Sequence, residues 1–212
     1  MEDETRDIRA EKNIVVCEAD LRAIQSLNEK QRIAFNEIID KVDRKKSGAF
    51  FIDGPGGTGK TYLYRALLAK IRSRGEIALA TATTGIAASL LPGGRTAHSK
   101  FKIPLDLTEA SNCRISKPSS LPTLIKSSKL IIWDEAATAK RSTIEAFGDL
   151  LKDLIDSIEI FGGKVVVLGG DFRQTLPVLQ KGTRSETIAA CLTNSPLWKS
   201  LSQLRIEENI RA

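Results

Sequence analysis

The stretch AFFIDGPGGTGKTYLYRALLAKIR, residues 49–72, decides the fold. Its first five residues form a short apolar run that predicts a buried strand, and residues 60–72 predict a helix. Between them, Gly54 to Thr61 satisfy the pattern G-x-x-x-x-G-K-T in full. The glycines of such a turn let backbone N–H groups surround phosphate oxygens, and the start of the next helix adds a favourable dipole. We therefore predict a phosphate-binding loop.

The loop supplies the first candidate site residues. Lys60 can reach the β- and γ-phosphates of a nucleoside triphosphate, and Thr61 can ligate Mg²⁺. The alternative is a chance glycine-rich turn, which the flanking strand and helix disfavour. The predicted nucleotide-binding residues of this loop are Gly54, Pro55, Gly56, Gly57, Thr58, Gly59, Lys60 and Thr61.

Apolar runs and helices alternate on both sides of the loop. LNEKQRIAFNEIIDKV (27–42) has the spacing of an amphipathic helix, with Asn28 as its N-cap. TTGIAASLL (83–91) predicts a short helix, and Ser142 with Glu145 forms a capping-box pattern that opens a long one. The further predicted strands are 76–82, 129–134, 164–171 and a short one within 202–212. The predicted buried stripe of the long helix is Ile144, Phe147, Leu151, Leu154, Ile155 and Ile158.

The predicted strands are apolar throughout instead of alternating with polar residues. Helical segments separate several of them, which is typical of a parallel sheet covered on both faces. The predicted fold class is therefore α/β, with a mostly parallel sheet between two layers of helices.

Composition excludes several classes of protein. The chain has 212 residues, a net charge of +6 and 5% aromatic residues, which permits polyanion binding but not an extended platform for base stacking. No run approaches the ~20 apolar residues of a membrane span. Three scattered cysteines and one histidine argue against a disulfide framework or a multi-histidine metal site. The mixed-charge start resembles neither a signal peptide nor an acid-poor transit peptide, which favours a nuclear over a mitochondrial location.

Two acids follow the apolar run LIIWDEA, residues 130–136. Asp134 fits a Mg²⁺-holding carboxylate, and Glu135 fits the base that orients or deprotonates an attacking water. A solvated strand end is the alternative. The position of these acids, about 75 residues after a full phosphate loop, favours the catalytic interpretation.

A further strand ends in VVVLGGDFRQTLP, residues 165–177. The amide of Gln174 can both donate and accept hydrogen bonds, which suits a sensor of the γ-phosphate or of the lytic water; an ordinary polar loop is the alternative. All three candidate segments follow the ends of predicted parallel strands, and such ends line one crevice.

These stretches together resemble the first motor domain of the Pif-one-type superfamily-one DNA helicases, particularly the branch found in plants, fungi and Helitron transposons. The resemblance covers residues 26–212 and implies a RecA-like P-loop NTPase domain that hydrolyses ATP with Mg²⁺. It also implies a 5′-to-3′ DNA helicase motor that binds single-stranded DNA in repair, recombination or telomere maintenance. The matching stretches are LNEKQRIAFNEI, FFIDGPGGTGKTYLY, TATTGIAASLLPGGRTAHSKFKIP, KLIIWDEA, VVVLGGDFRQTLPV and LRIEENIRA.

The resemblance assigns further nucleotide contacts. Gln31 matches the glutamine that contacts adenine, with helix capping beside Asn28 as the alternative. Gln174 matches the γ-phosphate sensor. Arg211 matches an arginine finger, with a solvated chain end as the alternative.

The resemblance also assigns the DNA contacts, all within residues 81–104. Hydroxyl and backbone N–H groups at a strand end can hold DNA phosphates, and an aromatic ring can stack on a base. For Phe101 core packing is the alternative, and for Lys100 a solvated position. The predicted DNA-binding residues are Thr83, Thr84, Gly85, His98, Lys100 and Phe101.

The domain organisation departs from that of the complete motor. We expect a loosely held polar lead-in at 1–25, the ATPase domain at 26–212 with a polar insertion at about 104–128, and no second motor lobe. Because unwinding needs two lobes, the alternative function is a shortened relative that binds nucleotide or DNA without productive unwinding. A small-molecule phosphotransferase is disfavoured because its arginine-rich lid is missing, the insertion containing only Arg114.

Overall fold

A parallel sheet forms the centre of the molecule. The structure is a computed structural model that describes residues 6–104, 120–174, 176–179 and 182–208. The strands in chain order are Gly48–Asp53 (β1), Ile77–Ala82 (β2), Arg95–Thr96 (β3), Ser128–Asp134 (β4), Val165–Gly170 (β5) and Ser202–Arg205 (β6). Within the described ranges they form one six-stranded sheet in the order β3-β2-β4-β5-β1-β6, and every pair is parallel. The predicted α/β fold class is confirmed.

Helices cover both faces of this sheet. The α-helices are Arg6–Lys12 (α1), Glu18–Ala23 (α2), Glu29–Asp43 (α3), Lys60–Arg72 (α4), Gly85–Ser89 (α5), Ala97–Phe101 (α6), Leu121–Ser127 (α7), Arg141–Ile155 (α8) and Arg184–Ala189 (α9). Short 3₁₀ helices span Ala136–Thr138, Ile160–Gly163, Leu192–Asn194 and Pro196–Ser200. In the part of the chain that the structure describes, none of the helices has the length and apolarity that a membrane crossing needs.

The four central strands, β1, β2, β4 and β5, are largely apolar because each contributes to two separate cores. Phe50 and Ile52 pack into the core beneath α3 and α4, whereas Phe51 points into the core beneath α7 and α8. Successive side chains of a strand point to opposite faces, so both faces must be apolar when both are covered. This explains why no polar alternation is present in the sequence.

The structure confirms one predicted helix N-terminus and contradicts another. Asn28 and Gln31 form a full capping box at the start of α3, which confirms the predicted N-cap. At α8 the predicted capping box is wrong: Lys140 is the N-cap, and Glu145 instead accepts a hydrogen bond from the Ser195 hydroxyl at 2.7 Å. The carboxylate therefore joins two segments 50 residues apart and does not cap its own helix.

The buried stripe of α8 is shorter than predicted. The helix ends at Ile155, because Asp156 adopts a left-handed conformation with φ of 59°. Ile158 lies beyond that end and is 99% exposed. The 3.6-residue spacing no longer applies to a residue outside the helix.

Within the described residues 6–25, side chains pack against the domain, in contrast to the loosely held lead-in that their polarity predicts. Ile8 of α1 is buried, and Asp20 of α2 forms an ion pair with Arg65 of α4 at 2.8 Å. Polar residues can be held firmly when their charges are paired with charges of the domain. Residues 105–119, most of the insertion expected at about 104–128, lie outside the described residues, and the rest of that segment contains α7.

The end of β5 is closely approached from both faces. A Cβ atom at Gly169 would overlap the hydroxyl of Tyr64, a buried residue of α4, and one at Gly170 would lie 2.6 Å from the Cβ of Ala137. Glycine therefore lets the phosphate-loop helix and the segment after β4 both pack against this strand.

We predict that Gly169→Ala lowers the free energy of unfolding by about 1–3 kcal/mol, because the added methyl group forces Tyr64 out of a closely packed position. Gly148→Ala is the matched control. Its Cβ atom would have neighbours only at 3.5 Å or beyond, and alanine favours α8, so its stability should not fall. Urea denaturation of both variants measures the difference, and equal stabilities would contradict the packing described here.

Candidate active site

The phosphate loop has backbone dihedral angles that favour glycine. Gly57 and Gly59 have φ angles of 92° and 78°, which other residues rarely adopt. The Thr58 hydroxyl donates to the carbonyl of Pro55 at 2.8 Å and closes the turn. The ammonium of Lys60, which is buried, donates to the carbonyl oxygens of Gly54 and Pro55. The predicted phosphate-binding lysine is therefore held against its own loop.

The two predicted acids lie at the end of β4, beside the loop. Asp134 is buried, and its Oδ1 accepts a hydrogen bond from the backbone N–H of Glu135 at 2.8 Å. The pKa of Asp134 is raised to about 6, mainly by burial and also by the Glu135 charge, against the opposing effects of that backbone hydrogen bond and of the Lys60 charge. Both acids line a cavity of about 460 Å³ together with Lys60 and Thr61.

These groups suit a divalent cation. The Thr61 hydroxyl and the Asp134 carboxylate are hard oxygen donors, the kind that Mg²⁺ prefers. A buried carboxylate with a raised pKa gains from a cation beside it, because the cation favours its charged form. The donor set therefore fits the metal that accompanies a nucleoside triphosphate.

Glu135 has a strained backbone that neighbouring threonines hold in place. Its φ and ψ angles of 56° and 29° are left-handed, which is uncommon for a residue other than glycine. Its carbonyl oxygen accepts hydrogen bonds from the hydroxyls of Thr83 and Thr138, both at 2.7 Å. Such strain persists only where surrounding contacts fix it, and here those contacts hold Glu135 in the wall of the cavity.

The segment after β5 reaches the loop from the neighbouring strand. Asp171 is buried and accepts hydrogen bonds from Arg173, which also pairs with Asp53 at 3.2 Å. Burial alone would raise the pKa of Asp171, but the hydrogen bonds and charge of Arg173 lower it overall. A Cβ atom at Gly56 would lie 2.9 Å from Nε2 of Gln174, so this amide lies directly over the loop.

Gln31 is also tied to the loop. It is 1% exposed; its Oε1 accepts from the Asn28 backbone at 3.1 Å, and its Nε2 donates to the Thr58 carbonyl at 3.0 Å. The capping alternative is therefore what the structure shows, and the adenine contact stays a prediction. Arg211 lies outside the described residues.

A second, larger cavity of about 730 Å³ lies on the other side of Glu135. We call it the groove; it runs between α5, α6 and the start of α8. Thr84 and His98 line it, and Gly85 is exposed at the start of α5 beside it. Burial lowers the pKa of His98, which favours the neutral imidazole. Its apolar lining residues include Ile86, Leu90, Leu176 and Val178.

Thr83 lines the groove, but its hydroxyl is already used. That hydroxyl donates to the Glu135 carbonyl and accepts from the Trp133 indole at 3.0 Å. Its single proton is therefore committed to Glu135 and is not offered to a phosphate. Thr84 accepts from the backbone of Ala87 at 3.2 Å, which leaves its hydroxyl proton for the groove.

Lys100 and Phe101 do not face the groove, which corrects two predicted DNA contacts. Phe101 has no exposed surface and packs against Phe147, with ring centroids 4.6 Å apart, so the core-packing alternative holds. Lys100 is buried in an ion pair with Glu11 of α1. Residues two apart on a helix point to nearly opposite sides, so His98 and Lys100 cannot share one face.

Comparison with known proteins identifies the family. The sequence profile described as PIF1-like helicase matches residues 26–212. The chain belongs to the PIF1-like helicase family. An ATP-dependent DNA helicase Pif1 of Psychrobacter is 32% identical over 144 residues, which are 66% of this chain and 22% of that protein.

Solved PIF1-like structures agree with the fold. Bacteroides Pif1 bound to single-stranded DNA is 26% identical with a TM-score of 0.71, over 87% of this chain and 42% of that one. Bacteroides Pif1 in complex with ADP-AlF4 is 27% identical with a TM-score of 0.72, over 88% of this chain and 43% of that one. The chain thus spans less than half the length of these PIF1-like relatives.

The PIF1-like cleft has one wall that the sequence did not predict. Ala19 and Asp20 of α2 line the nucleotide cavity with Tyr62 and Arg65 of α4. Arg65 lies one turn after Thr61 on the same face of α4, a spacing that could have suggested it. Nothing local marks α2, because its contact with the cleft depends on the pairing of Asp20 with a residue 45 positions away.

We predict that Thr83→Val lowers the free energy of unfolding by about 1–3 kcal/mol, because the Trp133 indole and the Glu135 carbonyl each lose a hydrogen-bond partner. Thr83→Ser, which keeps the hydroxyl, should retain most of that stability. Chemical denaturation of the two variants provides the measurement. If the two variants lose the same amount of stability, the Thr83 hydroxyl does not hold Glu135 in place.

Proposed function

We propose that this chain is the ATP-hydrolysing first motor domain of a 5′-to-3′ DNA helicase, binding Mg²⁺-ATP in the cleft and single-stranded DNA in the groove. The main support is the position of Glu135, which lines both cavities. Its carboxylate serves the nucleotide side, and its carbonyl is bonded to Thr83 of the groove wall. A change in the groove can therefore alter the geometry of the catalytic acid through one hydrogen bond.

In the cleft, different residues of the chain have different roles in phosphoryl transfer. Glu135 orients and deprotonates the attacking water, and Lys60 neutralises charge on the β- and γ-phosphates. Gln174, over Gly56, hydrogen-bonds the γ-phosphate, and Arg211 adds a further positive charge. Thr61 and Asp134 hold Mg²⁺, which supplies additional charge neutralisation when bound. Gln31 contacts the adenine.

In the groove, polar and apolar groups suit the two parts of a DNA strand. Thr84, Gly85 and His98 offer donors to phosphates, whereas Ile86 and Val178 offer apolar surface to bases and sugars. The net charge of +6 favours association with a polyanion. The polarity, a nuclear location and roles in repair, recombination or telomere maintenance rest on the resemblance to the family.

Unwinding requires a partner lobe. ATP hydrolysis becomes movement along a strand only when two lobes open and close around the nucleotide. We therefore propose that a second motor lobe works with this domain. The alternative is a relative that binds nucleotide or DNA without productive turnover. A measurement of ATP hydrolysis distinguishes this alternative from the motor.

We predict that the chain hydrolyses ATP and that single-stranded DNA accelerates it. Lys60→Ala should weaken both nucleotide binding and hydrolysis, because the phosphates lose their cation. Glu135→Gln should bind ATP normally and lower the hydrolysis rate by about 10²-fold or more, because an amide cannot take the proton. Phosphate release with and without oligonucleotide measures the rates, and fluorescent ATP analogues measure binding. Equal hydrolysis rates in the wild type and both variants would contradict the motor function and support the non-hydrolysing alternative.

The groove generates a separate prediction. Ile86→Glu should weaken single-stranded DNA binding by about tenfold at low salt, because it places a negative charge in the path of the phosphates. Ile158→Glu is the control, since Ile158 is 99% exposed and does not line the groove. Fluorescence anisotropy with a labelled oligonucleotide and an ATP analogue compares them. The same loss in both variants would place the DNA elsewhere.

A further inference from the structure

A cluster of lysines lies at the edge of the sheet opposite the nucleotide cleft. Within the described residues, five lysines surround a cavity of about 170 Å³. None of them forms a salt bridge with a described residue. We call this cluster the lysine edge; its members are Lys41, Lys45, Lys46, Lys129 and Lys164.

The parallel sheet brings these lysines together from three distant segments. The first three lie at or just beyond the end of α3, immediately before β1, whereas Lys129 and Lys164 lie at the start of β4 and just before β5. The amino ends of these strands adjoin: Gly48 and Leu130 are both paired with Val165. The lysine edge is thus separated from the phosphate loop by the length of a strand, on the order of 20 Å.

The nearby carboxylates do not neutralise this charge. Asp40 is paired with Arg44 at 2.7 Å, and Asp43 is paired with Arg74. Glu159 approaches the cavity wall, since a Cβ atom at Gly163 would lie 3.4 Å from its Oε2. Among the described residues, none of these carboxylates lies within salt-bridge distance of the five lysines, so positive charge is in excess at this edge.

The ammonium of Lys164 is held in a partly buried position beside another positive charge. Its ammonium donates to the carbonyl oxygens of Lys126 at 2.6 Å and Ser128 at 2.9 Å. Burial and, to a smaller extent, the charge of Lys129 together lower its pKa to about 8. The fold holds a cation among other cations, an arrangement that an anion in the cavity would stabilise.

We propose that the lysine edge binds the phosphate backbone of DNA at a second site, separate from the groove. The cavity is smaller than the 300–1,000 Å³ or so typical of small-molecule sites, and the rest of the lysine edge is open surface. Lysines act as point charges without bidentate geometry, which suits sequence-independent contact with a backbone. The choice of DNA as the polyanion rests on the proposed function, whereas the anion site itself rests on the lysines.

The test compares two triple variants with equal loss of charge. Lys45→Gln, Lys46→Gln and Lys129→Gln together remove the exposed members of the lysine edge. Lys70→Gln, Lys152→Gln and Lys199→Gln remove three lysines located elsewhere. Duplex DNA binding is measured by fluorescence anisotropy over a salt series, without nucleotide. We expect the first variant to bind about tenfold more weakly, with a slope of log K against log salt that is smaller by about 2–3, and the control to change by less than about twofold.

A single charge reversal, Lys129→Glu, repeats the test with little perturbation of the fold. Equal losses in both triple variants would show that only net charge matters, and they would overturn the proposal. Unchanged DNA affinity would also overturn it, including where the variant loses binding to inorganic phosphate or to phosphatidylserine vesicles.

The outcome is separable from that of the proposed function. Because the assay uses duplex DNA without nucleotide, a loss confined to the lysine-edge variants supports the second site even if the chain does not hydrolyse ATP. If hydrolysis is normal and the lysine-edge variants bind duplex as the wild type does, the second site fails while the motor assignment stands.

Discussion

The arrangement of both cavities depends on the left-handed backbone of Glu135. Two threonine hydroxyls fix its carbonyl oxygen, and its own N–H is bonded to Asp134. Because the bond from Thr83 joins the residue that follows β2 to the residue that follows β4, movement of the acid is coupled to the wall of the groove. A strained residue that lines two cavities couples them, because its strained backbone is maintained only while the contacts on each side are intact.

The direction of the strands determines how charge is distributed over the molecule. The strands of the described residues are all parallel, so their carboxyl ends meet at one edge, where Asp53, Asp134 and Asp171 gather around the phosphate loop. Their amino ends meet at the opposite edge, where the lysine edge forms. In an antiparallel sheet the same segments would alternate between the edges, and neither accumulation would arise. The two charged surfaces are therefore consequences of one topology.

The sequence predicts what depends on local pattern and on strand direction. The loop, its flanking strand and helix, and the convergence of Lys60 with Asp134 and Glu135 follow from a short motif and from the rule that parallel strands end together. Long-range pairing is different: the bond between Glu11 and Lys100 spans 89 residues and leaves no periodic trace. For the same reason the firm packing of α1 and α2 was not predicted. Residues 105–119 and Arg211 lie outside the described chain.

The cleft has two complementary electrostatic requirements. The phosphate loop presents N–H groups, a helix start and the ammonium of Lys60, which together favour an anion. Beside it, Asp134 is buried with a pKa raised to about 6, which favours a nearby cation. A simple anion would satisfy the loop but repel the two acids, and a bare metal ion would satisfy the acids but repel Lys60. A triphosphate carrying a divalent metal, the ligand that we propose for this cavity of about 460 Å³, would satisfy both requirements at once.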